Sequence, residues 1–174
     1  SAKEELEDRI RDIVRRVREL ITEVKKKNRE ILKRVEKVIK EVKETNERIE
    51  EEVRRGGLPE KLLRDITRKL RDHNRKVEEV MKRLRDLSRK HEKEVEDVLR
   101  ELEKKAKELR DRLRKIEDID KARKEVEDLV RDAKRVIEEL ERSLDELVRT
   151  LDELVRRLKK SSEDLMRELR KTTE

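Results

Sequence analysis

Cysteine and the aromatic residues are missing from this chain of 174 residues, and glycine and proline occur only as Gly56, Gly57 and Pro59. Without cysteine there are no disulfides and no thiolate chemistry, although that absence assigns no compartment. Long apolar runs are missing too. None approaches the ~18 to 20 residues that span a bilayer, and the opening Ser1-Ala2-Lys3-Glu4-Glu5 has no apolar signal-peptide region, so a soluble protein of unassigned localisation is expected.

What is present is charge: 58% of residues are Asp, Glu, Lys or Arg and 31% are hydrophobic. Disordered chains share that balance but lack regular apolar spacing, whereas here Leu, Ile and Val recur every three or four residues almost throughout. Such a composition with a repeat near 3.5 marks coiled coils and long helical bundles. The net charge of +7 is spread as +3 over residues 1–55, +5 over 56–118 and −1 over 119–174. Acidic residues stand four positions before bases at Glu5 and Arg9, Glu44 and Arg48, Glu108 and Arg112, and Asp145 and Arg149. The charge therefore reads as a solvated, salt-bridged face rather than a phosphate-binding stripe, and no nucleic-acid partner is expected.

Gly56-Gly57-Leu58-Pro59 reads as a helical hairpin turn, because glycine reaches positive φ after a helix end and proline suits the first turn of the next helix. Before it, one heptad frame places Ile10, Val17, Val24, Ile31, Val38 and Thr45 at d and Val14, Ile21, Asn28, Val35, Val42 and Ile49 at a. A third column starts at g (Leu6, Ile13, Leu20) and moves to e (Leu32, Ile39, Asn46, Val53), the broad stripe of a helix inside a bundle. The scheme repeats after the glycines, and the third column resets from e at Leu113 to g at Ala122. That reset predicts a second turn at 117–120, with Asp118 or Asp120 as the cap. The a/d frame itself runs on unbroken there, so a single helix from Pro59 to the end is the alternative. The expected fold is all-α: one domain, an antiparallel three-helix bundle with helices over about 2–55, 59–116 and 121–172 and turns at 56–58 and 117–120. Helices of about 50 residues are ~75 Å long, and the slow g-to-e shift implies a gentle left-handed supercoil.

Polar residues interrupt the apolar columns, and each needs a partner because an unpaired buried amide or hydroxyl costs ~1 to 3 kcal/mol. Folding the chain at its two turns gathers them into two clusters drawing on all three helices. One holds Asn28, Ser88 and Thr150, with His91 and Ser143 a turn away. The other holds Thr45, Asn46 and Thr67, with His73 and Asn74 a turn further on, facing Ser161 and Ser162. Buried hydrogen-bonded layers of this kind penalise registers and oligomers that leave their members unpaired. The two histidines lie 18 positions apart on one helix, ~27 Å by helical rise, and cannot share an ion; no cysteine or inward carboxylate joins either. Neither has a nucleophile or orienting carboxylate in the core columns, so no metal, cofactor or catalytic activity is expected. A buried neutral histidine would make stability fall as pH drops below about 6.5.

Repeats such as Leu144-Asp145-Glu146-Leu147-Val148-Arg149 and Leu151-Asp152-Glu153-Leu154-Val155-Arg156, with minimal turns, no aromatics and placed core polar residues, resemble de novo designed parametric helical bundles with buried hydrogen-bond networks. The resemblance covers the whole chain and is one of style, with no motif to match residue by residue. Spectrin repeats are similar in plan but carry a core tryptophan that is missing here. The resemblance implies a structural scaffold without a natural substrate or required partner. The alternative is an interaction module in a larger homo- or hetero-oligomeric bundle, with apolar sites such as Leu62 and Met166 on the seam. A membrane-surface role is weaker, since the stripe lacks Trp or Phe anchors and its polar faces mix both charge signs.

Overall fold

The computed structural model describes residues 1–173 and the side chains of 1–171. It is an all-α three-helix bundle of α1 (Ala2–Arg55), α2 (Glu60–Leu113) and α3 (Ile119–Thr173). Each helix is rich in good helix formers, contains no internal glycine or proline, and places acidic residues in its first turn and basic ones in its last, complementing the helix dipole.

The first turn forms as the glycines and proline require. Gly56 N–H donates to the carbonyls of Glu52 and Val53 at 3.0 and 3.3 Å, and Gly57 sits at φ 65°, the left-handed conformation that ends a helix. Pro59 then accepts the Leu63 N–H at 3.0 Å, which starts α2. The second turn lies earlier than expected. α2 stops at Leu113, residues 114–118 are not helical, and α3 starts at Ile119. That break overturns the continuous-helix alternative and moves the turn from 117–120 to 114–118. The cap explains the shift: the Asp118 carboxylate accepts the N–H groups of Asp120 and Lys121 at 3.0 and 3.4 Å, so helix begins right after it.

The chain divides into two compact units, each containing a segment of every helix: residues 1–28 with 89–147, and 29–88 with 148–174. In the first, a continuous cluster runs from Leu6, Ile10 and Val17 of α1 through Leu99, Ala106 and Leu113 of α2 to Ala122, Val126 and Ala133 of α3. Ion pairs Arg18–Glu103 and Lys25–Glu96 join the antiparallel α1 and α2 there. In the second, Val53, Ile66, Leu70 and Leu169 form a cluster against which Leu58 and Leu62 pack, and the ion pairs Arg85–Glu36 and Lys43–Glu78 bridge α2 and α1 at its surface.

Burial follows the drift of a 3.6-residue helix against a 3.5-residue frame, ~20° per heptad. Early in α1 the d and g positions Ile10, Ile13 and Val17 are buried while Val14 and Ile21 at a are half-buried; late in α1 the a and e positions Val42, Asn46 and Val53 are buried. The same rotation carries late d and early-column g positions outward in α2, where Val98 is 44% and Leu87 41% exposed.

Candidate functional site: the polar positions of the core

In the second unit the polar residues pair across helices. The Asn46 Nδ2 of α1 donates to Asn74 Oδ1 of α2. His73 Nε2 of α2 lies 2.9 Å from Ser162 Oγ of α3, and both side chains are buried. These two contacts bring adjacent α2 residues, His73 and Asn74, to α3 and to α1 respectively. Burial pushes the His73 pKa below its ordinary value, and the nearby Lys76 ammonium pushes it the same way.

Three expected members of that cluster stand apart. Half-buried Thr45 donates to the Glu41 carbonyl of its own helix at 2.9 Å, and half-buried Thr67 joins no polar pair among the described residues. Ser161 is exposed rather than buried, because the α3 core has rotated from d toward e by that depth and selects Ser162 instead.

In the first unit His91 Nε2 of α2 lies 2.9 Å from Ser143 Oγ of α3, and both side chains are half-buried. The other ring nitrogen, Nδ1, is buried without a partner. Desolvation lowers the His91 pKa, against an opposing pull from Glu94. Asn28 is 0% exposed, yet neither amide atom has a hydrogen-bond partner among the described residues. In the second unit Ser88 is also buried, and its hydroxyl is unpartnered. Thr150 is exposed where burial was expected, for the same reason as Ser161: the core has left the g column by that depth.

The surface holds polar contacts that the heptad columns did not single out. Glu96 accepts Arg100 Nη2 at 2.7 Å on its own helix and lies 3.5 Å from Lys25 Nζ of α1. Its carboxyl is held below the usual range chiefly by the Arg100 hydrogen bond. Glu103 is paired with Arg18 of α1 at 3.1 Å and Lys107 at 3.2 Å. Both are b positions, which flank the core once it has moved to a and e, so tracking the drift would have found them. The pairs Glu5–Arg9, Glu44–Arg48, Glu108–Arg112 and Asp145–Arg149 do not form; Arg48 instead approaches Thr45, and Arg112 approaches Glu125 across the second turn. Pairs of the same spacing do form at Glu50–Arg54, Glu60–Arg64 and Glu153–Arg157.

Among the described residues no group of three or more His, Cys, Asp or Glu side chains is placed to hold a metal ion, and no helix is long and apolar enough to cross a membrane. No protein-family model matches the chain, and no curated protein or solved structure matches it.

Proposed function

We propose that this chain is a structural scaffold of the de novo designed kind, in which paired polar side chains inside the bundle select one arrangement of three long helices. The observation that carries the reading is the pair of cross-helix contacts made by neighbours in α2, His73 to Ser162 and Asn74 to Asn46. Shifting either partner helix by one turn, ~5.4 Å, would strand these groups without partners in an apolar interior. Leu, Ile and Val tolerate such slips, since one branched apolar side chain replaces another with small losses. Polar pairs make the wrong register costly while adding little to the stability of the right one. The repeated Leu-Asp-Glu-Leu-Val-Arg blocks and the absence of aromatics support the designed origin.

The test is solution mass by light scattering, at two concentrations, on the chain and on a variant with Asn46→Leu, Asn74→Leu, His73→Leu and Ser162→Ala. The chain should show the mass of one copy at both concentrations. The variant should stay helical but distribute over more than one mass. A variant with the single mass of the parent would mean that the polar pairs do not select the arrangement.

A further inference from the structure

The two turns of this chain resist straightening to different degrees. In the first, Gly57 sits at φ 65°, Gly56 beside it disfavours helix, and Pro59 has no N–H for a helical ladder. The second, Arg114-Lys115-Ile116-Glu117-Asp118, contains neither residue type, and none of its members has a positive φ. Four of its five residues are ordinary helix formers, and the a/d frame runs on through Leu109, Ile116 and Ile119 to Val126. The turn is held by the Lys115 N–H on the Arg112 carbonyl at 2.9 Å and by the Asp118 carboxylate on the N–H groups of Asp120 and Lys121. Straightening residues 114–118 would give intrahelical partners to the last carbonyls of α2 and the first N–H groups of α3. In one chain alone the break wins, because α3 must turn back to bury Ala122, Val126, Leu129 and Ala133.

We propose that residues 114–118 are a hinge through which two copies of this chain exchange α3, each running helical from Glu60 to Thr173 and laying its α3 on α1 and α2 of the other. The inference goes beyond the scaffold reading, which concerns a single copy. The face that α3 leaves already has a defined occupant, and the α3 of a second copy is chemically identical to it. The same apolar residues are buried again, and contacts such as Arg16–Glu141 and Arg34–Asp152 form between chains instead of within one. Exchange therefore keeps the contacts of the closed form and replaces two turns by continuous helix, at the expense of bringing two chains together. A folded chain stays closed, because its own α3 is tethered beside its face at an effective concentration in the mM range. Exchange takes place when chains fold together at comparable concentration.

The test is to unfold the chain in guanidinium, refold it at about 1 mM or at about 5 μM, and measure mass by light scattering after dilution. The higher concentration should yield a fraction with twice the mass of one copy, which persists on dilution because α3 must leave its buried face before it can return. The lower should yield one copy alone. Asp118→Ala removes a cap that only the closed form uses, so the ratio of doubled to single mass should rise about fivefold or more. Lys115→Gly with Glu117→Gly, at exposed positions, should lower that ratio, since glycine disfavours helix and is at home in a turn. The chain has no cysteine, so Glu101→Cys with Arg135→Cys places spin labels on exposed sites of α2 and α3 alone. Diluted into excess unlabelled chain, the two labels of one chain should lie less than ~30 Å apart in the single-copy fraction and ~51 Å apart, thirty-four helical steps, in the doubled one. A single mass for the Asp118→Ala variant after refolding at the higher concentration would overturn the inference. So would a doubled fraction that ignores both hinge changes, or one that keeps the short distance, which would mean two closed chains side by side. The hinge changes leave the polar pairs untouched and the polar variant leaves 114–118 untouched, so the two readings fail separately.

Discussion

The two units of this molecule solve the same packing problem with different materials. Among the described residues, the unit of 1–28 and 89–147 buries eighteen apolar side chains and one polar side chain, Asn28, whereas the unit of 29–88 and 148–174 buries thirteen apolar and four polar ones, Asn46, His73, Ser88 and Ser162. Burying a large apolar side chain contributes roughly 1.5 to 3 kcal/mol, while a paired polar group contributes about 1 kcal/mol net. The apolar core of the first unit therefore contributes more to its stability than that of the second. Amide hydrogen exchange should be slower in residues 89–113 of α2 than in residues 60–88, although both lie on one uninterrupted helix.

The largest effect comes from removing apolar volume where it is densest. Leu99 is 0% exposed within the cluster of the first unit. Leu99→Ala should cost about 2 to 5 kcal/mol, through lost transfer energy and the cavity left behind. Exchange in residues 89–113 should then accelerate to match or pass that in residues 60–88. Equal acceleration across the whole of α2 would show instead that the two units unfold as one.

A polar-to-apolar substitution should have opposite signs in the two units. Asn28 is buried with neither amide atom partnered, so Asn28→Leu should stabilise by about 1 to 3 kcal/mol, with the melting temperature rising by about 2 to 4 °C per kcal/mol. Asn46→Leu should destabilise by a similar amount, because it leaves Asn74 without the donor it accepts from. The double change Asn46→Leu, Asn74→Leu should recover most of the loss. Thermal melts of these variants check all three signs, and destabilisation by Asn28→Leu would show that its amide is satisfied in solution.

This contrast was only half legible in the sequence. The apolar columns gave three antiparallel helices, and Gly56, Gly57 and Pro59 located the first turn, because few other residues suit a left-handed helix end and a proline-led start. The second turn was misplaced by about three residues, since no glycine or proline marks it and the Asp118 cap is one of several acidic candidates nearby. Of the twelve polar positions singled out, Asn46, Asn74, His73, Ser162, His91 and Ser143 pair across helices. Thr150 and Ser161 point outward. A fixed heptad frame treats every a, d, e and g column alike from end to end, but a 3.6-residue helix turns away from that frame as it proceeds. Only the drift tells Ser161 from Ser162. Hydrogen-bond pairing is not written in the heptad columns, because it depends on which side chain of a facing pair can reach.

Each unit carries one histidine, and acid should weaken both. Burial lowers both pKa values, helped by Lys76 at His73 and opposed by Glu94 at His91. Across the helix interface each ring faces a neutral serine, Ser162 or Ser143, which does not favour the cation by charge. The unfolded chain therefore binds protons more readily than the folded one below its ordinary pKa of about 6.5, and stability rises with pH through that window. Denaturant midpoints should be level above about pH 7.5 and fall toward pH 5, where the depressed carboxylates Glu96 and Glu103 have not yet begun to titrate. His73→Leu with His91→Leu should flatten the profile. A level profile in the unsubstituted chain would remove the histidines from its acid response.

The smallest effect separates the surfaces of the units. Glu103 of the first unit has a side chain only 13% exposed and sits between Arg18 and Lys107, while Glu78 of the second is 62% exposed and meets Lys43 alone. Burial would raise the Glu103 pKa, but hydrogen bonds from Lys107 and Arg18 outweigh it and hold the carboxyl below its usual range. Glu103→Gln leaves two cations facing each other without their shared counter-charge. Because Arg18 remains largely solvated, the cost should be about 1 kcal/mol or less, and it should shrink in 1 M salt, where screening acts over ~3 Å. Glu78→Gln should not move the melting curve, since an isolated exposed pair gains little over its hydrated ions. Equal losses at the two sites, unaffected by salt, would mean that shape rather than charge seats Glu103, and that the surfaces of the two units do not differ in the way their cores do.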